Sequence, residues 1–332
     1  MTAPLAGRWQ RLLDAAGTER RLIATALIRI SFGALLCVYY AVHAFQREFV
    51  WGPHGVLSSP MIASVIKLDH AYSLYALSDS LLVFNVLYLC GFLVSVAFLL
   101  GWKSRITSVL FFVFTWSLYQ RNYFAIDGGD NVIFLISFYL MFADVGRRFS
   151  LDAYAAARAG RDVAVPWWRA MLHNYAVLAC LVQICMLYLF AGLWKANSHM
   201  WLDGTAIYYI LRVNEFQLPG ISPLIYHSAL LGVLSCYATI IFEMLLPFDV
   251  WKRNMRIWML LGAIVLHLSI GIVMGLMYFS LAMIAADLIF LADDQYVHYA
   301  RRVRAWATAL RRFLEGPANA AEPAFAFADE PR

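Results

Sequence analysis

The chain is poor in charged residues. Only 14% of its 332 residues are Asp, Glu, Lys or Arg, whereas soluble domains average about 25%. Hydrophobic residues make up 62% of the sequence. A soluble domain could not keep so much apolar surface away from water. The composition therefore excludes an ordinary soluble protein and predicts a chain embedded in a lipid bilayer.

Cysteine is also scarce, and it follows no ligand pattern. The five cysteines all fall within apolar stretches and none belongs to a C-x-x-C pair. This excludes a disulfide framework and a zinc site, so no metal is predicted. The sequence also lacks a phosphate-binding loop, a dinucleotide-binding glycine pattern and a nucleophile elbow in a credible context.

Long apolar runs recur along the whole chain. Eight of them approach or exceed the length that crosses a bilayer, at approximately 22–45, 80–101, 105–124, 131–146, 170–194, 224–248, 256–275 and 277–293. The predicted fold is therefore all-α, a polytopic integral membrane bundle of about eight transmembrane helices. The first run is too long for a cleaved signal peptide, and equally apolar runs follow it.

Basic residues divide unevenly between the two sides of this predicted bundle. Twenty lysines and arginines fall on the side of the termini and five on the other, with Arg29 inside the first span. This bias predicts a cell-membrane protein with both termini in the cytoplasm. Residues 1–21 form a cytoplasmic segment, 22–293 the membrane domain, and 294–332 a basic tail that is disordered at its end. The net charge of +5 follows from the cytoplasmic segments, so no nucleic-acid partner is expected.

Lys195 is the most informative single residue. It ends the apolar part of the stretch LYLFAGLWKANSHMWLDG at 187–204. A dry environment favours the neutral amine, so a lysine at this place could act as a base near neutral pH. The alternative is that Lys195 extends its ammonium group to the membrane surface from a helix end.

Further polar residues lie where lipid is expected, and such residues usually face a cavity or a partner. Several share the outer half of the predicted bundle: Arg121, Asn122, Asp127, Asp130, Lys195, Trp201 and Asp203. A single outward-opening pocket would produce this clustering.

Structural interpretations of these polar residues stay open. Asp127-Gly-Gly-Asp130 could cap the fourth helix. Arg29 could pair with Glu243 or Asp287, and His267 could donate to a carbonyl oxygen. Glu243 is predicted to lie near the inner half, with a structural role.

Several sequence blocks together resemble one known family. They are RISFGALL at 29–36, GWKSRITSVLFF at 101–112, QRNYFAIDGGDNVIFL at 120–135, FADVGRRFSLDA at 142–153, NYAVL at 174–178, YLFAGLWKANSHMWLDG at 188–204 and HLSIGIVMGLMYFSLAMIA at 267–285. In order and spacing they resemble the transmembrane domain of vitamin K-dependent gamma-carboxylases, known in bacteria as the horizontally transferred transmembrane (HTTM) domain. The resemblance covers about residues 22–293.

This resemblance implies a mechanism. Lys195 falls on the lysine regarded in the carboxylases as the base that deprotonates vitamin K hydroquinone. Oxygen then adds to the anion, and the strong base that results abstracts a proton from a substrate carbon. Carbon dioxide captures the carbanion, while the quinone leaves as an epoxide. The implied cofactor is reduced vitamin K or another quinol, bound from the lipid bilayer.

The resemblance also implies roles for individual residues. The implied catalytic residues are Lys195, His267 and Asp130. The implied substrate-binding residues are Arg121, Asn122, Trp201, Asp203 and Arg29. His267 matches a histidine of the family's penultimate helix in this domain, and Trp201 with Asp203 would close the pocket.

Two departures narrow the expected function. Asp130 stands where the animal carboxylases have a histidine, and a carboxylate cannot replace a neutral imidazole donor. The chain also lacks the large extramembrane domain that docks a substrate propeptide, so recognition of a long Glu-rich substrate is not expected.

The first hypothesis is a membrane oxidoreductase or lyase that activates a quinol-type lipid with oxygen. The alternative is a non-redox factor for maturation of, or immunity to, a small secreted peptide. A transporter ranks last, because no inverted repeat is evident.

Overall fold

The described part of the chain is built from α-helices and turns. The computed structural model describes residues 17–69, 72–160 and 165–315. Within these ranges, the α-helices of eight or more residues are α1 Leu22–Val42, α2 Ser59–Asp69, α3 Leu81–Leu100, α4 Ser104–Arg121, α5 Gly128–Leu140, α6 Leu151–Arg158, α7 Trp167–Ala196, α8 Ala229–Asp249, α9 Arg256–Met274, α10 Met277–Asp287 and α11 Asp293–Glu315. No β-strand occurs in these residues, so the all-α prediction is confirmed.

Four shorter helices connect the longer ones. Arg47–Trp51 follows α1. His199–Leu202, Ala206–Ile210 and Ser222–Tyr226 lie between α7 and α8. These last three all contact α8. The predicted span 224–248 therefore consists of a short helix and a separate membrane helix that begins at Ala229.

Within the described residues, five helices are long and apolar enough to cross a membrane: α1, α3, α7, α8 and α9. The predicted fourth span, 131–146, is instead a helix of 13 residues that begins at Gly128 and ends at Leu140. At 1.5 Å per residue it covers roughly 20 Å, less than the roughly 30 Å hydrocarbon core. Helix α10, in the predicted eighth span, has 11 residues and continues as a 3-10 turn over Leu288–Phe290. Length and composition thus support five crossings.

Helix α10 occupies a central position, because it packs against α1, α5 and α9. Helices α1 and α3 form one close pair and α7 and α8 another. Gly192 permits the close approach of α7 to α8, since a Cβ atom there would lie 3.0 Å from Met244 Sδ. The interior between α7, α8, α9 and α10 is where the polar side chains of the candidate site meet.

The chain divides into two compact units at Ala292, and α11 belongs to the second. The predictions for residues 1–16 and for the end of the tail, 316–332, lie outside the described residues. The region predicted as a basic tail therefore begins with a helix of 23 residues.

Candidate functional site

Lys195 forms an ion pair with Glu243. Lys195 lies in the last turn of α7, and its Nζ donates to both carboxylate oxygens of Glu243, at 2.9 and 2.8 Å. The lysine side chain is 21% exposed and the glutamate side chain is nearly buried. The pair joins α7 to α8 through residues that are 48 positions apart in the sequence.

An aromatic ring completes the surroundings of the Lys195 amine. Its Nζ lies 5.3 Å from the ring centroid of Trp201, in the short helix His199–Leu202. The negative face of an indole ring attracts a cation at this distance. Asp203, the residue predicted to close the pocket with Trp201, is exposed. The structure thus places the Trp201 ring beside the Lys195 amine.

A second polar group is fully buried close to the first. Tyr188 Oη donates to Asp287 Oδ2 at 2.8 Å and lies 2.8 Å from His267 Nε2. The histidine Nε2 is 4.0 Å from the same carboxylate oxygen. A hydroxyl has a single proton, so a Tyr188 that donates to Asp287 must accept from His267 Nε2–H. The group therefore joins α7, α9 and α10 by hydrogen bonds.

This arrangement decides one alternative left open by the sequence. The interpretation of His267 as a donor to a carbonyl oxygen is wrong, because its Nε2 contacts a tyrosine hydroxyl. Within the part of the chain that the structure describes, His267 Nδ1 and Asp287 Oδ1 are buried and have no hydrogen-bond partner. Unsatisfied buried polar atoms are costly and mark sites that a water or ligand atom can complete.

The two polar groups are neighbours along α7. Tyr188 and Lys195 are separated by two helical turns and therefore lie on the same helical face. Phe242, next to Glu243 on α8, packs edge-to-face on the Tyr188 ring with centroids 6.3 Å apart. The polar residues thus line one continuous strip of the interior.

Asp130 belongs to the start of α5. Asp127 is the N-cap residue, and its Oδ1 accepts from the amides of Gly129 and Asp130 at 2.6 and 3.1 Å. In return, Asp130 Oδ2 accepts from the Asp127 amide at 2.9 Å. This reciprocal capping box satisfies three amide groups at the helix start. The interpretation of this sequence as a helix cap is confirmed.

The other oxygen of Asp130 points into an aromatic region. Asp130 Oδ1 and the hydroxyls of Tyr119 and Tyr278 are buried, and both hydroxyls lie close enough to the Asp130 carboxylate to interact with it by hydrogen bonds. The Tyr39 ring packs against both tyrosines, with centroid distances of 6.4 Å to Tyr119 and 5.4 Å to Tyr278. The contacts of Asp130 therefore differ from those of Lys195, and the two residues are not joined by a hydrogen bond.

Arg121 and Asn122 bind backbone rather than a pocket. Arg121 Nη1 donates to the carbonyl of Leu57 at 2.8 Å and Nη2 to that of Gly52 at 2.6 Å. Asn122 Nδ2 donates to the carbonyl of Val50 at 2.8 Å. Both side chains are buried. They fix the segment between α1 and α2 against the end of α4.

Arg29 is likewise held by backbone carbonyls. Its guanidinium donates to Val145 at 3.1 Å, to Phe98 at 2.9 Å, and to Leu99 and Phe149 at 2.6 Å each. Phe98 and Leu99 belong to the last turn of α3, and Val145 and Phe149 lie between α5 and α6.

The alternative that Arg29 pairs with Glu243 or Asp287 is therefore wrong. Glu243 pairs with Lys195 and Asp287 with Tyr188. Gly101 makes room for Arg29, since a Cβ there would lie 2.6 Å from Arg29 Nη1. Its φ of 67° also ends α3 in the left-handed conformation that glycine adopts without strain.

A cavity of about 350 Å³ near the start of α4 is lined by arginine and aspartate side chains. Arg169 pairs with Asp144 at 2.7 Å, Arg105 with the same carboxylate at 3.4 Å, and Arg147 with Glu19 at 3.1 Å. Burial raises the pKa of the Asp144 carboxyl above its usual range. The three arginines already hold carboxylate partners, which leaves the Lys195 region as the stronger candidate.

Comparison with known proteins gives the family. The HTTM domain family matches residues 23–294, most of the chain. This chain belongs to the HTTM domain family. The prediction made from the resemblance is confirmed at the level of the family, and both polar groups lie within the matched residues.

Two relatives of this HTTM protein come from Bacillus subtilis (strain 168). The chain is 26% identical over 215 residues to the sporulation-delaying protein SdpB, and the aligned region covers 63% of this chain and 64% of SdpB. It is 23% identical over 203 residues to the uncharacterized protein YitO, covering 58% of this chain and 62% of YitO. The chain thus spans slightly less than two thirds of the length of each relative. No solved structure matches the chain.

Two residues of the candidate site, Tyr188 and Asp287, lacked an assigned catalytic or binding role at the level of sequence. Glu243 was predicted to be structural and near the inner half, but it pairs with Lys195, which was predicted in the outer half, so the two residues share one depth. Glu243 and Asp287 were visible as acids within apolar runs, but their partners were not. Tyr188 was less conspicuous in the sequence. The one indication of its role was its position two helical turns before Lys195, on the same face of one helix. Within the described residues, no group of three or more His, Cys, Asp or Glu is placed to hold a metal ion.

Proposed function

We propose that this HTTM protein is an integral membrane enzyme that activates a quinol-type lipid with oxygen, with Lys195 as the base. The observation that carries the proposal is the partly buried Lys195–Glu243 pair beneath the Trp201 ring. The proposed topology is the predicted one, with eight crossings of the cell membrane and both termini in the cytoplasm. In that topology α4 would supply one further crossing, and α5 and α10 would each cross together with the segments that flank them.

The ion pair can accept one further proton. As an ammonium, Lys195 donates to Glu243, and transfer of that proton to the carboxylate would leave a neutral amine. The amine can then take the proton of a substrate hydroxyl, which yields an ammonium beside a protonated Glu243. In a dry site this route avoids an unpaired charge, which is the expensive species there. Glu243 is thus proposed as the acceptor that prepares the base.

The residues present fit a quinol. A quinol supplies an acidic hydroxyl and a ring that oxygen, as the co-reactant, can oxidise. Trp194, directly before Lys195, is 78% exposed and would face the lipid from which such a molecule enters. Trp201 provides an aromatic surface over the amine. The unpartnered buried atoms His267 Nδ1 and Asp287 Oδ1 offer polar positions beyond the base.

The other residues near the site, both those predicted from the sequence and those found in the structure, would support it in different ways. Tyr188 and Asp287 would hold the His267 ring in one orientation. Asp130, beside the Tyr119 and Tyr278 hydroxyls, would supply a polar group in a neighbouring part of the interior. Arg121, Asn122 and Arg29 would support the site through the backbone segments that they bind, and Asp203 would lie at its margin.

The test is a direct search for the product. The purified protein in lipid nanodiscs would receive vitamin K hydroquinone and oxygen, and the quinone epoxide would be quantified by mass spectrometry. Lys195→Ala removes the proposed base. Lys252→Ala is a matched control, because Lys252 also pairs with an acid, Asp249 at 2.6 Å, but is largely exposed. We expect epoxide from the native chain and Lys252→Ala only. Equal epoxide from Lys195→Ala would refute the base assignment, and no epoxide from the native chain would refute the activity.

The second candidate is a non-redox factor for a secreted peptide. The similarity to SdpB favours it, because that relative is named for an effect on sporulation and not for a redox reaction. Peptides secreted by the source strain would be compared by mass spectrometry with and without the gene, and with Lys195→Ala. A peptide that depends on the gene but not on Lys195 would support this candidate against the first.

A further inference from the structure

Helix α11 has one apolar face. It runs from Asp293 to Glu315, and its larger apolar residues recur three or four positions apart: Tyr296, Tyr299, Val303, Trp306, Leu310 and Phe313. This spacing places them on a single side of an α-helix. At 1.5 Å per residue the helix is about 35 Å long, but its composition is too polar for it to cross a bilayer.

The rest of α11 is strongly basic. Between Gln295 and Leu314 the helix contains no acidic residue and five arginines: Arg301, Arg302, Arg304, Arg311 and Arg312. Arg302 and Arg304 directly precede and follow Val303 in the sequence. Consecutive residues of an α-helix point about 100° apart, so these two arginines place positive charge along both edges of the apolar face. The acids Asp293, Asp294 and Glu315 stand only at the two ends.

The apolar face of α11 is exposed from Val303 to Phe313, and Tyr296 and Tyr299 are half-buried. Trp306 is 67% and Phe313 is 82% exposed, and Val303 and Leu310 are exposed as well. Large apolar side chains that are aligned on one face and open to the surroundings mark an interaction surface. The charge pattern indicates the kind of partner. With five arginines beside the apolar face, the partner must offer both apolar groups and negative charges.

We propose that α11 lies in the plane of the membrane surface, with its apolar face in the boundary between headgroups and acyl chains and its arginines on anionic lipid headgroups. A basic helix with a wide apolar face has the composition of an interfacial membrane helix. Aromatic residues such as Trp306 and the tyrosines prefer this boundary. The helix also begins only three residues after the turn Leu288–Phe290, so only a short link joins it to the membrane domain in the sequence. This inference is independent of the quinol chemistry.

Paired spin labels test the orientation of α11. The full chain, with its five cysteines replaced by alanine, would carry Val303→Cys on the apolar face or Thr308→Cys on the polar face, each labelled with a nitroxide. Both substitutions leave the charge unchanged. In nanodiscs with anionic lipid we expect the label at 303 to collide with oxygen and to be shielded from a water-soluble nickel complex. The label at 308 should show the reverse.

The contribution of charge is tested separately. Replacing Arg301, Arg302 and Arg304 by glutamine should weaken the binding of α11 to the membrane surface. The partition coefficient between surface and water should fall by about fivefold for each arginine removed, and the label at 303 should be less deeply immersed. Raising the salt concentration should weaken immersion of the native chain. Exposure of both labels to the nickel complex would overturn the proposal. Shielding of the label at 303 from both reagents would also overturn it, because a protein partner would then cover the face.

Discussion

Arg29 and Lys195 are both cations on membrane helices, and the protein holds them in different ways. Arg29 is completely buried and donates only to backbone carbonyls. Lys195 is partly exposed, pairs with a carboxylate and lies under an indole ring. Carbonyl oxygens do not take up protons, whereas a carboxylate does. The Arg29 site therefore retains a charge that ties helices together, whereas the proposed function requires the Lys195 site to exchange a proton. The two sites predict opposite responses to mutation.

The largest effect is expected from Lys195→Arg. Arginine keeps the positive charge and the carboxylate partner, but it cannot lose its proton in a protein. We expect epoxide formation to fall by about 10²–10⁴-fold, the range typical of a lost general base. The thermal midpoint in detergent should stay close to that of the native chain. An active Lys195→Arg variant would show that the charge of this residue, and not its basicity, is what matters.

Arg29→Met should damage stability instead of chemistry. The substitution removes four hydrogen bonds to backbone carbonyls, although the Phe98 carbonyl keeps the Gly101 amide as a donor. The free energy of unfolding should fall by about 3 kcal/mol or more. A fluorescence melting curve of the purified protein would measure the shift. Arg105→Met is the matched control, because Arg105 is mostly exposed in its pair with Asp144 and such pairs contribute about 0–1 kcal/mol. Equal melting curves for both variants would contradict a structural role for Arg29.

Tyr188→Phe probes the buried group beside the ion pair. It removes the hydroxyl that joins His267 to Asp287 and leaves both side chains unsatisfied. We expect a loss of about 1–3 kcal/mol in stability, seen as a lower melting temperature. The Michaelis constant for the quinol should change less than the turnover number, because the hydroxyl positions a side chain and does not bind substrate. Phe190→Leu, on the exposed side of α7, serves as the control that should melt normally.

The smallest effect is expected from Asp130→Asn. Asparagine can still accept the hydrogen bond from the Asp127 amide, so stability should change by less than about 0.5 kcal/mol. Asp127→Ala removes the N-cap itself and should cost about 1 kcal/mol. If Asp130→Asn keeps its melting temperature but loses turnover, the Asp130 carboxylate is catalytic, and capping α5 is not its main role.

The local features of this chain followed from its sequence. Apolar runs of membrane length predicted α1, α3, α7 and α9 to within three residues of their ends, because helix formation in lipid depends on the run itself. The run that predicted α8 began five residues too early, in the separate short helix Ser222–Tyr226. The predicted fourth span was misplaced, since the Asp127 cap starts α5 earlier than its apolar residues suggested. The cap itself was predictable, as its two acids are three residues apart. Lys195 was identified because a charge in an apolar run is conspicuous wherever it occurs.

The pairing of the buried polar residues was decided only by the tertiary structure. Lys195 and Glu243 are 48 residues apart, Tyr188 and Asp287 are 99, and Arg29 and Val145 are 116. Which groups meet depends on the depth and rotation of each helix against its neighbours, and these are set by packing such as the contact of Gly192 with Met244. Sequence periodicity records which face of a helix is apolar but not which residue of another helix lies opposite. The sequence therefore determined that charges would be buried, and the packing of the helices determined that one lysine would face a carboxylate while one arginine would face only backbone.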